Sequence, residues 1–300
     1  GVVSNSYGRE INNGWNINTS LSHRFSSKVN STLRLYSTIF DGSEKLNFKE
    51  KPDSIYYDGF RQRFYRAENQ TDIGFKKMNL TVGAGYIIDE ARSTRYDNSS
   101  NYKQNRIAYG FLQHEWIPNE KVSVIAGLRY DDNRLFAAAF SPKLAVRYSV
   151  SKRININASI GRGFKAPDFR QLYLNFTNIS AGGYSVFGSI DAVKVITALQ
   201  QRGEIAELMS DFSKLSTLTP EFSTGMNAGA TILAAKNLSF KVNAFRNDID
   251  GLIEVRQVAT RTNGTQIYSY INVKKAYTQG GEIEANWSPV KFINVKGGYQ

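Results

Sequence analysis

Apolar residues fall at every second position of this chain, over stretches longer than ordinary strands, and few folds can use such a pattern. Val29, Leu33, Leu35 and Ile39 share one parity, with Lys28, Asn30, Thr32 and Arg34 on the other. The period returns at Leu80, Val82, Ala84, Tyr86 and Ile88, at Val122, Val124, Ala126, Leu128 and Tyr130, and at Leu144, Val146, Tyr148 and Val150. It continues through Ile154, Ile156, Ala158 and Ile160, then Leu238, Phe240, Val242 and Ala244, and finally Ile283, Ala285 and Trp287. Side chains of an extended strand alternate between faces, so each segment reads as a strand with one apolar and one polar side. About twelve strands are expected, at 14–25, 28–40, 59–76, 79–90, 103–117, 121–133, 139–150, 153–163, 221–234, 237–257, 266–287 and 291–300.

The links between these strands alternate in length. "FSSK", "KKMN", "IPNEK", "VSKR", "AAKN" and "SPVK" are tight and polar, while longer links fall at 41–58, 91–102, 133–138, 164–220 and 258–266. Soluble sandwiches have strands of about five or six residues and need no such alternation of turns. A bilayer demands it, because every backbone polar group must be paired there and only a closed barrel of long tilted strands, apolar outside and polar within, meets that demand. The expected fold is therefore an all-β, antiparallel transmembrane β-barrel with tight turns at the periplasmic rim and long loops outside. Val124, Leu128, Val146, Ile156, Phe240 and Ile283 should then face lipid, and Arg129, Arg147, Asn157, Lys241 and Glu284 the lumen.

Composition excludes the main competitors. The 300 residues are 41% hydrophobic with a mean hydropathy of -0.40, and none of the chain is an apolar run near the roughly 20 residues of a spanning helix. With no cysteine there is no disulfide framework and no thiolate metal site. The net charge of +12 is spread along the chain instead of gathered on one face, which argues against a nucleic-acid groove. Every tight link contains or borders a lysine: Lys28, Lys76 and Lys77, Lys121, Lys152, Lys236 and Lys291. Such a ring of cations suits anionic head groups at one barrel rim, and Trp116 and Trp287 beside the same links suit an interfacial belt. The chain opens at Gly1 without an initiator Met or a signal peptide, as expected of a processed chain or an excised piece.

In "RININASIGRGFKAPDFRQLYLNF" the alternation stops at Gly163, where the strand leaves the membrane and a 57-residue loop, 164–220, begins. A loop of that length should carry structure of its own. Val193, Ile196 and Leu199, and then Ile205, Leu208, Phe212 and Leu215, have helical spacing with Gly203 as a break, so two short helices are expected over the barrel mouth.

"GRGFKAPDFRQLY" resembles the glycine–aromatic–basic–Ala–Pro signature with which TonB-dependent outer-membrane receptors enter an external loop. "LTPEFSTGMNAGA" at 218–230 is similar to the Leu-x-Pro-Glu segment that opens their next descending strand. "FRNDIDGLIEV" and "YINVKKAYTQGGEIEANW" resemble two further segments of that family, in matching order. The resemblance implies a barrel of about 22 strands closed by a plug domain, placed in the bacterial outer membrane and driven through the plug by the TonB–ExbB–ExbD complex. It also implies contacts with the bilayer and lipopolysaccharide, a small-molecule ligand, and in some relatives a surface lipoprotein, but no nucleic acid and no cofactor. Residues 1–300 would form a partial barrel, since about twelve strands are present and nothing before Gly14 reads as a plug.

The function implied is energy-coupled uptake of a scarce nutrient. "FKAP" followed by "QLY" most resembles the box of haem receptors, so haem or a siderophore comes first, with cobalamin or glycan import, or a passive porin or adhesin barrel, as alternatives. The haem receptors' second box is missing, "LTPE" standing in its region, and His23 and His114 both precede tight links, away from an external mouth. The loop itself offers Phe169, Arg170, Tyr173, Phe176, Tyr184 and Phe187, a set suited to stacking on a planar or catecholate ligand and pairing with its carboxylates. An enzyme is not expected: Asp131, Asp132 and Asp168 are the candidate external carboxylates, and no base–nucleophile pair accompanies them. "DNSSNY" at 97–102 reads as a polar loop without a calcium pattern, and no metal-ligand spacing repeats anywhere.

Overall fold

The computed structural model describes residues 6–49, 51–96, 101–178, 183–215, 218–273 and 275–300. Eight strands rise and fall in succession: β1 (Ser6–Arg24), β2 (Val29–Phe48), β3 (Lys51–Gly74), β4 (Met78–Ser93), β5 (Lys103–Asn119), β6 (Val122–Asn133), β7 (Ala139–Ser151) and β8 (Ile154–Lys165). The chain then leaves the sheet through helix α1 (Phe169–Tyr173), strands β9 (Asn175–Asn178) and β10 (Tyr184–Phe187), helix α2 (Ser189–Gln201) and strand β11 (Ile205–Leu208). It returns through β12 (Glu221–Ala235) and β13 (Leu238–Asp250), departs again as β14 (Ile253–Arg261) and β15 (Gln266–Asn272), and ends in β16 (Lys275–Val290) and β17 (Ile293–Tyr299). Among the described residues, twelve strands form one antiparallel sheet in the order β1 to β8, β12, β13, β16, β17, and the other five form a second sheet ordered β11-β14-β15-β10-β9.

One face of the large sheet is apolar and bare. Tyr130 pairs with Phe140, Leu128 with Pro142, Ala126 with Leu144, Val124 with Val146 and Val122 with Tyr148, so one parity continues from strand to strand. Leu128, Leu144, Val146, Tyr148, Ile156 and Ile283 are all exposed on it. From Phe140 to Val150 this face runs ten residues, roughly 34 Å along the strand and about 25 Å across a bilayer at the usual tilt, which matches the apolar band of outer-membrane barrels. No helix among the described residues is long and apolar enough to cross a membrane.

The opposite face is polar and cross-linked. Arg34 of β2 pairs with Glu68 of β3 at 3.2 Å, Tyr109 of β5 donates to the same carboxylate at 2.8 Å, and the Arg129 guanidinium sits 3.9 Å from the Tyr109 ring centroid while gripping Asp131. Tyr109 can reach across β4 because Gly83 and Gly85 are bare there. A Cβ on Gly85 would meet the Tyr109 ring at 2.4 Å, and one on Gly83 the Phe111 ring at 2.3 Å. The lumen set of Arg129, Arg147, Asn157, Lys241 and Glu284 lies on this parity, with Lys241 and Glu284 paired at 3.6 Å.

At one end the strands are joined by the six expected tight links, each within a turn that carries its lysine. Side chains complete them: Asn119 Oδ1 accepts from the backbone of Lys121 and Val122, and Ser26 Oγ from Lys28 and Val29. The other end differs from expectation in three places. The link at 41–58 is no loop, because β2 and β3 stay paired from Ser43 and Gly59 out to Phe48 and Lys51. The strands expected at 237–257 and 266–287 each break in two, at Gly251 with φ +70° and near residue 273, so the link at 258–266 is only the tip of a hairpin that belongs to the second sheet. The helix expected from Ile205 to Leu215 is strand β11 followed by a short 3-10 turn, Ser210–Lys214. Ile205, Leu208, Phe212 and Leu215 all pack against the same cluster as α2. Their spacing reported burial, and pairing of β11 with β14 decided the backbone. Of "DNSSNY", residues 97–100 lie outside the described residues.

Candidate functional site

The second sheet and α2 form a cap with its own core of Phe187, Ala192, Ile196, Leu199, Val258, Ala259 and Ile267. Its attachment to the barrel explains the conspicuous motifs. After β8 ends at Lys165, Pro167 offers no backbone donor to continue a ladder, and Asp168 starts α1 with a capping box: its carboxylate accepts from Gln171 N at 2.7 Å while Gln171 Oε1 accepts from Asp168 N at 3.0 Å. Glu221, opposite Lys165 in the ladder, accepts from the backbone of Ile253 at 3.0 Å and so ties both departures of the chain together. Asn272 binds the backbone of Thr219 in both directions and the Gly251 carbonyl at 2.6 Å. Gly188 lets α2 start against the end of α1, since a Cβ there would meet Leu172 backbone atoms at 2.4 Å.

The cap closes over the lumenal parity of the sheet. Phe169 packs on Ala91 and Tyr96, with Phe60 and Tyr173 beside them. Of the six predicted contact residues, Phe169 and Phe187 are 7% and 6% exposed and lie inside the cap's packing. Arg170 is exposed, Tyr173 and Phe176 are half-buried, and Tyr184 is 39% exposed. Phe176, Tyr184 and Tyr268 form an edge-to-face row with centroid separations of 6.0 and 6.2 Å. Cations from other loops lie over these rings: Arg95 is 4.7 Å from the Phe176 centroid and Lys103 Nζ 4.7 Å from that of Tyr173. Arg95 is itself held by an ion pair to Asp58 and a 3.0 Å bond to the Tyr56 hydroxyl. Arg95, Lys103 and Tyr268 had no sequence signal, because the rings they meet, Phe176, Tyr173 and Tyr184, lie 70 or more positions away in the chain.

Burial pushes the Tyr96 phenol up to about 12; the nearby Asp168 adds to the rise and Arg170 opposes it. Burial also raises Tyr270, against the pull of a hydrogen bond and charge from Arg170. A phenol held neutral in this way stabilises the cap fully below its unfolded value of 10.0, and that contribution falls away as pH rises from there through about 12. The expected result is that Tyr96→Phe removes one late-titrating phenolate from the alkaline absorbance curve and flattens the loss of cap stability between those pH values. A phenolate lost from the early part of the curve would show that Tyr96 is solvated.

Two of the three candidate carboxylates have structural occupations, while Asp132 is exposed. Asp131 is bound by Arg129 and Asp168 caps α1. His23 and His114 stand near the tight-turn ends of β1 and β5, and no group of three metal-ligating side chains occurs among the described residues.

The chain matches the family described as TonB dependent receptor-like, beta-barrel, over residues 2–300. It is 20% identical over 237 residues to the iron-regulated outer membrane virulence protein of Vibrio cholerae serotype O1, covering 76% of this chain and 32% of that protein. The siderophore receptor PirA from Pseudomonas aeruginosa superposes with a TM-score of 0.66 at 16% identity, over 96% of this chain and 56% of the receptor. A mutant of the ferric enterobactin receptor PfeA from the same organism gives 0.64 at 15% identity, over 98% and 52%. The fold is also shared with the copper transporter OprC, at a TM-score of 0.66 and 14% identity, over 95% of this chain and 45% of that one. This chain thus spans about a third of the curated relatives' length and about half of the solved receptors'. With a lipid-facing band of barrel height, tight turns at one rim, a folded cap at the other and the family match across almost its whole length, the chain belongs to the β-barrel of the TonB-dependent outer-membrane receptors.

Proposed function

We propose that the receptor containing this barrel captures an anionic, aromatic iron chelate of the siderophore class at the mouth beneath the cap and imports it. The carrying observation is the surface where Arg95 lies over Phe176 and Lys103 over Tyr173, beside the row of Phe176, Tyr184 and Tyr268, with Arg170 exposed on the adjoining helix α1. Cations and ring faces together suit a negatively charged catecholate, which offers oxygens to the first and a π-face to the second. The siderophore receptors that share this fold and the iron-regulated relative point the same way. Haem fits less well, since both histidines lie near the opposite rim and no side chain at the mouth is an obvious axial imidazole. Energy would reach the site through a plug domain engaged by the TonB–ExbB–ExbD complex; a surface lipoprotein is a further partner of this reading.

In the intact receptor, Arg170→Ala and Tyr184→Ala should each weaken binding of a ferric catecholate by about 1–3 kcal/mol, the range for a contact central to an interface. Equilibrium titration against ferric catecholate and, separately, against haem tests this. Unchanged catecholate affinity in a folded barrel would refute the assignment, as would tighter binding of haem.

A further inference from the structure

The β3/β4 ladder ends at Phe60 and Ser93, yet β2 and β3 stay paired without a shift out to Asn47 and Ile55. On the face that this upright hairpin shares with Phe60, Glu44 lies directly opposite Asp58, and Leu46 opposite Tyr56. Phe60 packs beside Phe169 and Tyr173, so that face looks toward the cap. Two carboxylates opposed across a ladder cost stability unless a cation stands by. Arg95 supplies it, through its ion pair with Asp58.

The segment that carries Arg95 is stitched to the hairpin and to the cap at once. Thr94 N donates to the Gly59 carbonyl at 3.0 Å, and Thr94 Oγ1 accepts from Gly59 N at 3.0 Å while donating to Asp58 Oδ1 at 2.7 Å. On the other side the Arg95 carbonyl accepts from Asn175 N of β9 at 2.6 Å, next to the Phe176 ring under its guanidinium. Arg95 Nη2 donates to the Tyr56 hydroxyl at 3.0 Å, and Nε is buried with no hydrogen-bond partner among the described residues. The ion pair and the ring therefore fix two sides of a guanidinium whose side chain stays 36% exposed.

We infer, on the reading that this surface captures an anionic chelate, that Asp58, assisted by Tyr56, is a positioning residue for that capture: it acts on the ligand only by holding Arg95 on the Phe176 face. A free arginine loses rotamer entropy when a ligand orders it, and a preset guanidinium does not. Charge alone predicts the opposite sign. Asp58 and Glu44 put negative charge beside a surface for an anion, so loss of the Asp58 carboxylate would strengthen binding if it acted through its own field. Acting through Arg95, its loss weakens binding.

The test is equilibrium titration of the intact receptor with a ferric catecholate, comparing D58N, Y56F, R95Q, K103Q, D58N/R95Q and D58N/K103Q with the unaltered protein. Asparagine keeps an oxygen for the Thr94 hydroxyl, so D58N retains the stitch to Gly59. D58N should weaken binding about tenfold and R95Q at least as much, with D58N/R95Q within about twofold of R95Q, because directly bonded groups couple. D58N/K103Q should show the product of the single losses, since Lys103 lies over the Tyr173 ring instead. A D58N effect that came from a loosened cap would couple to K103Q as well. Y56F removes only the hydroxyl acceptor and should give a smaller loss of the same sign, which keeps the test available if D58N does not assemble. Unchanged or tighter binding in D58N, or in Y56F where D58N does not assemble, while R95Q binds more weakly, would overturn the positioning role and leave capture standing; so would full additivity of D58N with R95Q or coupling of D58N to K103Q. Unchanged binding in both R95Q and K103Q would overturn capture at this surface and the positioning role with it.

Discussion

Excision of residues 184–214 from the intact receptor, bridged by a short flexible linker, is expected to abolish ligand capture and leave a barrel that still shows heat-modifiable gel mobility. The segment supplies β10, α2, β11 and the 3-10 turn, hence Phe187, Ala192, Ile196 and Leu199 of the cap core, and Tyr184 of the aromatic row. None of its residues appears in the ladder of the twelve-stranded sheet, where β8 passes directly to β12 through twelve residue pairs from Lys165 and Glu221 to Ile154 and Ile232. Strands in a bilayer are held by that backbone pairing, so the barrel has no energetic dependence on the lost core. Affinity at least a hundredfold weaker with intact mobility is the expected outcome. Retained affinity would place capture elsewhere, and lost mobility would make the cap a requirement for assembly.

The second large effect is on stability. Val146→Arg, at mid-height on the lipid face between Val124 and Ala158, should destabilise the barrel by about 2–4 kcal/mol, the cost of an arginine at the bilayer midplane. Ala145→Arg, one residue away and facing the lumen, should change stability by about 0.5 kcal/mol or less, as at an ordinary solvated position. Denaturant titration of both variants in the same lipid vesicles reads the difference. Equal costs would mean that the two faces meet the same solvent, as they would in a soluble sandwich.

That contrast rests on information written locally in the chain. A strand repeats its facing every second residue, so one parity of Leu144, Val146, Tyr148 and Val150 was enough to identify both the element and its environment, and the tight lysine-bearing links gave the sheet its order. The motifs were legible as landmarks for the same reason: Pro167, Asp168 and Gln171 act on their own neighbours, ending a strand and capping a helix within a few residues.

The cap was not legible. Gly251 turns β13 out of the barrel although alternation continues on both sides of it, and the pairs that use the departing strands, β14 with β11 and β15 with β10, join residues separated by some 50 to 80 positions. Apolar spacing at Ile205, Leu208, Phe212 and Leu215 registered that those side chains are buried without saying on which backbone. Likewise Phe169, Phe187 and Tyr184 all entered as loop aromatics, yet two became core and one became surface. The sequence by itself determined the barrel strands, their two faces and the rim of tight turns, because period and turn chemistry are short-range. Tertiary structure alone decided the second sheet, the fate of each loop aromatic, and the meeting of Arg95 and Lys103 with Phe176 and Tyr173, because those contacts exist only once distant loops share one place.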